Sequence, residues 1–196
     1  MRRGCFLMAG LLVLLTASLS WAGGLDFANA GMEAQKQMKF DEAIAQYTKA
    51  IEAGDLSPTN TALAYNNRGN CWRFKGKFAN SIADYRKGIE ADPKHHGPYN
   101  SLAWVLATCP QDQFRNGGEA VKLAQKAASL ADPTMKPACL DTLAAAQAET
   151  GAFDEAIKTQ KEAIGLLKKQ RAPKSLVKEL DARLKLYKAN KPWRDK

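Results

Sequence analysis

The chain has 196 residues, of which 45% are hydrophobic and 25% charged, with a formal net charge of +9. This composition is that of an ordinary globular protein, and it excludes an intrinsically disordered chain, which would carry fewer apolar residues. The positive charge is concentrated in residues 168–196, which contain eleven Lys and Arg against three Asp and Glu.

The first 22 residues differ in composition from the rest of the chain. Two arginines precede an uncharged apolar run over residues 6–19, and Ser20-Trp21-Ala22 places small residues at both recognition positions of a cleavage site. This pattern predicts a secretory signal peptide over residues 1–22. An uncleaved anchor is the alternative, because residues 4–22 carry no charge and are long enough to span a membrane. We expect cleavage after Ala22 and a mature chain in the bacterial periplasm.

Four later segments share an apolar pattern of helical spacing. They are FDEAIAQYTKAI from Phe40, KFANSIADYRKGIEADP from Lys77, GGEAVKLAQKAASLADP from Gly117 and AFDEAIKTQKEAIGLLK from Ala152. Their equivalent positions Ala43, Ser81, Ala120 and Ala156 are 38, 39 and 36 residues apart. A repeat of this length is typical of a helical solenoid, whose units bury their apolar faces only against neighbours.

Each of these segments follows another stretch of helical apolar spacing, which predicts a pair of helices in every unit. The predicted units span residues 24–57, 58–93, 96–133 and 136–170, within an array over residues 23–170. The third unit has a longer turn than the others, from Cys109 to Gly118.

A last helix is predicted over residues 173–190, followed by a basic tail over residues 191–196. Its apolar residues lie on one face, and its charged residues, including Arg183, are expected on the other. Because a solenoid needs a polar end unit to stay soluble, we predict that this helix caps the last repeat. A basic amphipathic helix on a membrane surface is the alternative.

The second unit carries the most specific pattern. Its first helix has Tyr65, Gly69 and Trp72, and its second helix has small and aromatic residues in the order Phe78, Ser81, Ile82, Tyr85, Gly88 and Ile89 before Pro93. This order resembles the tetratricopeptide repeat, and LATCP in the third unit resembles a bacterial subgroup with an extended turn. The resemblance implies an all-α, right-handed solenoid of about four helix pairs plus a C-terminal capping helix. Ser81 and Gly88 stand where that family usually has alanine, but both are small, as close helix crossing requires.

In tetratricopeptide arrays the first helix of each pair lines a concave groove. The resemblance therefore implies the following peptide-binding residues on those helices: Asn66, Asn70, Arg73, Asn100, Trp104 and Asp141. Ala145 is expected on the same inward face. Asparagine donates to and accepts from a peptide backbone, arginine binds a carboxylate, and tryptophan is an apolar anchor. The alternative for these residues is structural: Trp104 fills the space between helices and the asparagines bond to neighbouring backbone.

The sequence contains none of the familiar catalytic patterns, such as a glycine-rich phosphate loop, HExxH or GxSxG. His95 and His96 are adjacent in a turn, and we expect them to point in different directions and to cap that turn rather than bind a metal. Of three cysteines after residue 22, Cys71 is expected to be buried, and no disulfide is expected. We predict a protein that is not an enzyme and has no cofactor.

The expected function is a non-catalytic adaptor or scaffold of the cell envelope, which binds a peptide segment or helix of a protein partner in its concave groove. No nucleic-acid partner is expected. The alternative is association with a polyanion or an anionic membrane surface through the basic C-terminal helix and tail, since clustered positive charge attracts such partners.

Overall fold

A computed structural model describes residues 23–195, so the predicted signal peptide and Lys196 lie outside the described residues. Between residues 23 and 195 the chain forms nine α-helices, one short 3-10 helix and no strand. The α-helices are α1 (Gly24–Lys36), α2 (Phe40–Glu52), α3 (Pro58–Phe74), α4 (Phe78–Ala91), α5 (His96–Thr108), α6 (Gly117–Leu130), α7 (Lys136–Glu149), α8 (Phe153–Lys169) and α9 (Lys174–Lys188).

The first eight helices form four consecutive pairs, from α1 with α2 to α7 with α8. The first helices of the pairs also contact one another, α1 with α3, α3 with α5 and α5 with α7. This continuous row is the architecture of a solenoid, in which each unit packs on the next. The prediction of an all-helical repeat fold is therefore confirmed.

Small residues lie where the paired helices cross. The four equivalent positions Ala43, Ser81, Ala120 and Ala156 are all fully buried. In the second unit a Cβ atom on Gly69 would lie only 2.6 Å from Cε1 of Tyr85, so only glycine fits against this ring. A Cβ on Gly88 would likewise lie 3.0 Å from Cγ of Pro98 in the next unit.

The turns inside the helix pairs need a left-handed residue. Gly76 and Gly151 adopt φ values of 69° and 80° at equivalent turn positions, and the first unit has Met38 there with φ 58°. A side chain in this conformation is strained by its own backbone. The Met38 side chain is 72% exposed and gains little burial in return.

The long turn of the third unit contains a 3-10 helix, Asp112–Phe114. The turn ends at Asn116, whose Oδ1 accepts a hydrogen bond from the backbone N–H of Glu119, so α6 begins at Gly117, one residue before the predicted end of the turn. Arg115 donates from Nη1 to the carbonyl oxygen of Cys109 at 2.8 Å and from Nε to Oε1 of Glu149 at 2.9 Å. These bonds attach the turn to the C-terminal end of α7.

Helix α9 packs on α8 and buries Leu180, Leu184 and Tyr187. It thereby covers the apolar flank of the last pair. One expectation was wrong: Arg183, predicted on the polar face, is only 8% exposed. The sequence pattern misses this because a buried carboxylate on another helix, not the helix's own periodicity, determines where the guanidinium lies.

The cysteines and histidines have structural surroundings. Cys71, Cys109 and Cys139 are buried thiols, and burial raises the pKa of Cys71 to about 11. His95 caps α5, with Nδ1 accepting from the backbone N–H of Gly97 at 3.1 Å. The two imidazoles do not point in different directions, because the rings of His95 and His96 stack at 5.3 Å.

Residues 23–195 contain no group of three His, Cys, Asp or Glu side chains arranged to hold a metal ion. Within that range, every helix is too short or too polar to cross a bilayer.

Candidate functional site

A cavity of about 760 Å³ lies along the row formed by α3, α5 and α7, with α9 on its far side. This size is within the range of ligand-binding clefts. We name it the groove, and its walls include five of the six predicted binding residues: Asn70, Arg73, Asn100, Trp104 and Asp141. Asn66 is outside the lining. Ala145, expected on the inward face, is instead buried in the core between helices.

The asparagines differ in their hydrogen bonding. Asn70 accepts a hydrogen bond on Oδ1 from the hydroxyl of Tyr85 at 2.9 Å, which holds its amide in one orientation. Oδ1 of Asn100 is buried and has no donor within reach among residues 23–195, and the same is true of Asn66. A buried acceptor without a donor is unfavourable, so this oxygen lowers the stability of the fold beside the groove.

Residues 191–195, which we name the tail, lie along the groove and contribute Trp193 and Asp195 to the walls of the remaining cavity. Arg73 on α3 and Trp104 on α5 both donate to Oδ2 of Asp195, the indole N–H at 3.2 Å. The backbone N–H of Asp195 donates to the carbonyl oxygen of Thr108 at 2.9 Å. Arg73 and Trp104 thus bind a carboxylate and Thr108 binds the backbone beside it, and the bound segment is the protein's own tail.

The rest of the tail lies across the C-terminal end of α7. Trp193 packs against a buried cluster that includes Ala144 and Tyr187. Arg194 forms an ion pair with Glu149, with Nη1 2.6 Å from Oε2. The tail therefore crosses the ends of α7, α5 and α3 in that order, where the exposed carbonyl groups of helix termini favour a cation such as Arg194.

Asp141 has a different role from the other groove residues. Its carboxylate accepts two hydrogen bonds from Arg183, at 2.9 and 2.8 Å, and one from the Gln160 amide at 2.7 Å. Burial raises the pKa of Asp141, and the positive charge of Arg183 opposes that rise. Asp141 is thereby engaged in holding α9 in place.

Arg183 also joins the two tryptophans of the groove. Its guanidinium lies 5.4 Å from the ring centre of Trp104 and 5.5 Å from that of Trp193. Such cation–π contacts are favourable, and they are stronger where water is excluded. One arginine therefore connects α9, α5 and the tail.

Four residues of this site were not among the predicted binding residues: Gln160, Arg183, Trp193 and Asp195. Gln160 had a sequence signal, because it occupies the repeat position that holds Tyr47 and Tyr85 in the first two units. All three side chains are fully buried, and a buried amide needs a hydrogen-bond partner. The position of Asp195 had no sequence signal, since the tail lies outside the repeat pattern.

The helix pairs and the groove define this chain as a helical repeat scaffold, a class of protein that binds partners on an extended concave surface. Residues 62–95 match the tetratricopeptide repeat. The chain therefore contains a tetratricopeptide repeat in its second helix pair.

Solved structures share the fold. PilW, a widely conserved type IV pilus biogenesis factor, aligns with a TM-score of 0.61 at 19% identity, over 72% of this chain and 61% of PilW. YrrB, a TPR protein with an unusual peptide-binding site, aligns at 0.58 and 20% identity, over 74% of this chain and 69% of YrrB. MamA aligns at 0.59 and 20% identity, over 85% of this chain and 88% of MamA. This chain therefore spans less than two thirds of PilW. No curated protein sequence is a significant match to the chain.

Proposed function

We propose that this protein is a non-catalytic adaptor that binds an extended segment of a partner protein in the groove. The observation that carries the proposal is the tail, whose carboxylate and backbone are held by Arg73, Trp104 and Thr108. A surface that holds one extended segment has the donors, acceptors and apolar contacts to hold another. The likeness to YrrB, a TPR protein with an unusual peptide-binding site, also supports this function.

The partner is proposed to be a protein of the bacterial cell envelope. The support is the signal-peptide pattern of residues 1–22, which would bring the mature chain into the periplasm.

Polyanion or membrane-surface association through the C-terminal helix has less support. Leu180, Leu184 and Tyr187, the residues that would enter a lipid surface, are buried inside the protein. Arg194 is already paired with Glu149. If the alternative were correct, the protein would sediment with anionic vesicles at low salt and be released at high salt, because salt screens such attraction.

We expect Asn100→Ala to weaken partner binding without lowering the stability of the protein. Because Asn100 Oδ1 has no donor within residues 23–195, its removal relieves a buried unpaired acceptor. We expect a free energy of unfolding that is unchanged or higher by up to about 1 kcal/mol. Partner capture should fall, because the groove wall loses the Asn100 amide.

Capture is measured by in-cell photo-crosslinking from a photoreactive amino acid at Ser101, which lines the groove. The same probe at Lys158, exposed on α8, is the control. A partner that crosslinks at position 101, not at 158, and less in Asn100→Ala supports the proposal. Equal crosslinking at both positions, or capture unaffected by Asn100→Ala, would contradict it.

A further inference from the structure

The tail and α9 are held in the groove by contacts of different strength, and the tail's contacts indicate what the groove accepts. We propose that the tail is a detachable occupant, and that the partner displaces it with a segment of the same chemistry. That segment carries an aromatic side chain followed two residues later by a carboxylate. The inference rests on the proposed function, because it names the ligand class of the same groove.

Helix α9 is a permanent part of the fold. The Asp141 and Arg183 side chains are each 10% exposed and bonded to one another at two points. Separating them would leave two buried charges without partners, which strongly destabilises a protein. Leu180 and Leu184 of the same helix belong to the core cluster formed with α8. Helix α9 therefore remains packed on α8 when the tail leaves the groove.

The tail is held by weaker contacts. In its ion pair with Asp195, the Arg73 side chain is 21% exposed and the aspartate 27%. Solvent reaches this pair more than it reaches the Asp141–Arg183 pair, so breaking it costs less and salt weakens it more. The Trp193 indole N–H is buried without an acceptor among residues 23–195. The cost of this unpaired donor offsets part of the stabilisation that comes from burying the ring. These contacts hold the tail in place but leave it displaceable.

The backbone allows the tail to leave without unwinding α9. Asn190 adopts φ 52°, and the N–H of Lys191 donates back to the carbonyl oxygen of Leu186 at 3.0 Å. This is the usual way in which a helix ends, with a left-handed residue after the last turn. Helix α9 therefore ends before the tail begins, and rotation after Lys191 separates the two.

The chemistry of the ligand follows from what each tail residue contacts. Two donors, from Arg73 and Trp104, converge on one oxygen of Asp195, and such a pair selects an anion. Trp193 supplies the aromatic ring, and its spacing of two residues places it on the same side of an extended chain. The residue between them, Arg194, faces the carboxylate of Glu149, so a basic residue is favoured there. The groove is thus complementary to an aromatic–basic–acidic segment.

Competition between tail and partner sets the apparent affinity. The apparent affinity of a ligand that needs an open groove is its intrinsic affinity multiplied by the fraction of molecules in which the groove is open. A short attached segment acts at an effective concentration in the millimolar range, so even weak contacts keep the groove mostly closed. If the tail fills the groove in about nine molecules of ten, its release strengthens partner binding about tenfold.

The test uses residues 23–196 and a fluorescein-labelled peptide of residues 188–195, KANKPWRD. Binding to wild type and to Asp195→Ala is measured by anisotropy, and by NMR of the tryptophan indole N–H signals up to about 1 mM peptide, the range expected for a detached short segment. Asp181→Ala, which removes an acidic residue of α9 that forms no hydrogen bond or ion pair with residues 191–195, is the matched control. A peptide with both Trp and Asp replaced by alanine controls for sequence.

We expect Asp195→Ala to bind the peptide about tenfold more tightly than wild type and Asp181→Ala, and Arg73→Ala in the Asp195→Ala background to abolish binding. Equal affinities, no binding to any variant, or binding that survives Arg73→Ala would each overturn the inference. Wild-type dimers that Asp195→Ala converts to monomers in sedimentation would also overturn it, because the tail would then occupy the groove of a second copy.

The photo-crosslinking experiment separates this inference from the proposed function. Partner capture at Ser101 that is equal in wild type and Asp195→Ala leaves the adaptor function intact and overturns the role of the tail. Peptide binding that is tenfold tighter in Asp195→Ala, with no groove-specific partner in cells, supports the role of the tail and contradicts the adaptor function.

Discussion

Replacing Arg183 with methionine removes the positive charge beside buried Asp141 while keeping an unbranched side chain. Asp141 then loses its hydrogen bonds of 2.9 and 2.8 Å and keeps only that from Gln160. Breaking a buried ion pair by removing one partner costs about 3–5 kcal/mol. We expect about 3 kcal/mol, because the Gln160 amide still satisfies the carboxylate in part.

For a chain of this length each kcal/mol lowers the melting temperature by about 2–4 °C, so Arg183→Met should melt about 6–12 °C below wild type. The deficit should shrink as the pH falls. Without Arg183 the pKa of Asp141 is raised further by its burial, so the folded variant takes up a proton before the unfolded chain does. Protonation therefore restores stability to the variant at low pH.

Urea unfolding followed by circular dichroism measures both quantities. The double variant Asp141→Leu with Arg183→Met removes both charges of this buried pair, and we expect it within about 1 kcal/mol of wild type. The control is Arg86→Met, whose arginine pairs with Glu119 while 51% exposed, and which should unfold like wild type. A double variant as unstable as Arg183→Met alone would refute this account of the buried pair.

Three further predictions concern the repeats. Met38→Gly should raise the free energy of unfolding by about 0.5–1 kcal/mol in urea unfolding, because glycine adopts the left-handed turn without strain; a loss would contradict this. Gly69→Ala should cost about 1–3 kcal/mol because its Cβ meets Tyr85, whereas Gly165→Ala, with open space around it, should stabilise α8; equal effects would disprove the steric argument. Burial lowers the pKa of His95 below 6.5, so stability should fall as the pH drops below about 6.5, and His95→Asn should remove this slope in thermal melts at pH 5 and 7.

Much of the fold could be read from the sequence because its cause is local and repeated. Ala43, Ser81, Ala120 and Ala156 recur at nearly constant spacing, and all four are buried where helices cross. The same repetition indicated which helices line the groove, so five of six predicted residues lie in its walls. Whether those five bind a partner remains a prediction.

The sequence by itself determined the helix pairs, the small residues between them and the row of first helices. Only the tertiary structure decided what fills the groove. Asp141 and Arg183 are 42 residues apart, and Arg73 and Asp195 are 122 apart. No periodic pattern relates residues at those separations, because each pair meets only after the intervening repeats have stacked and set the distance between their ends. Side-chain periodicity reports the face of one helix, whereas a contact between α3 and the tail depends on the summed geometry of every repeat between them.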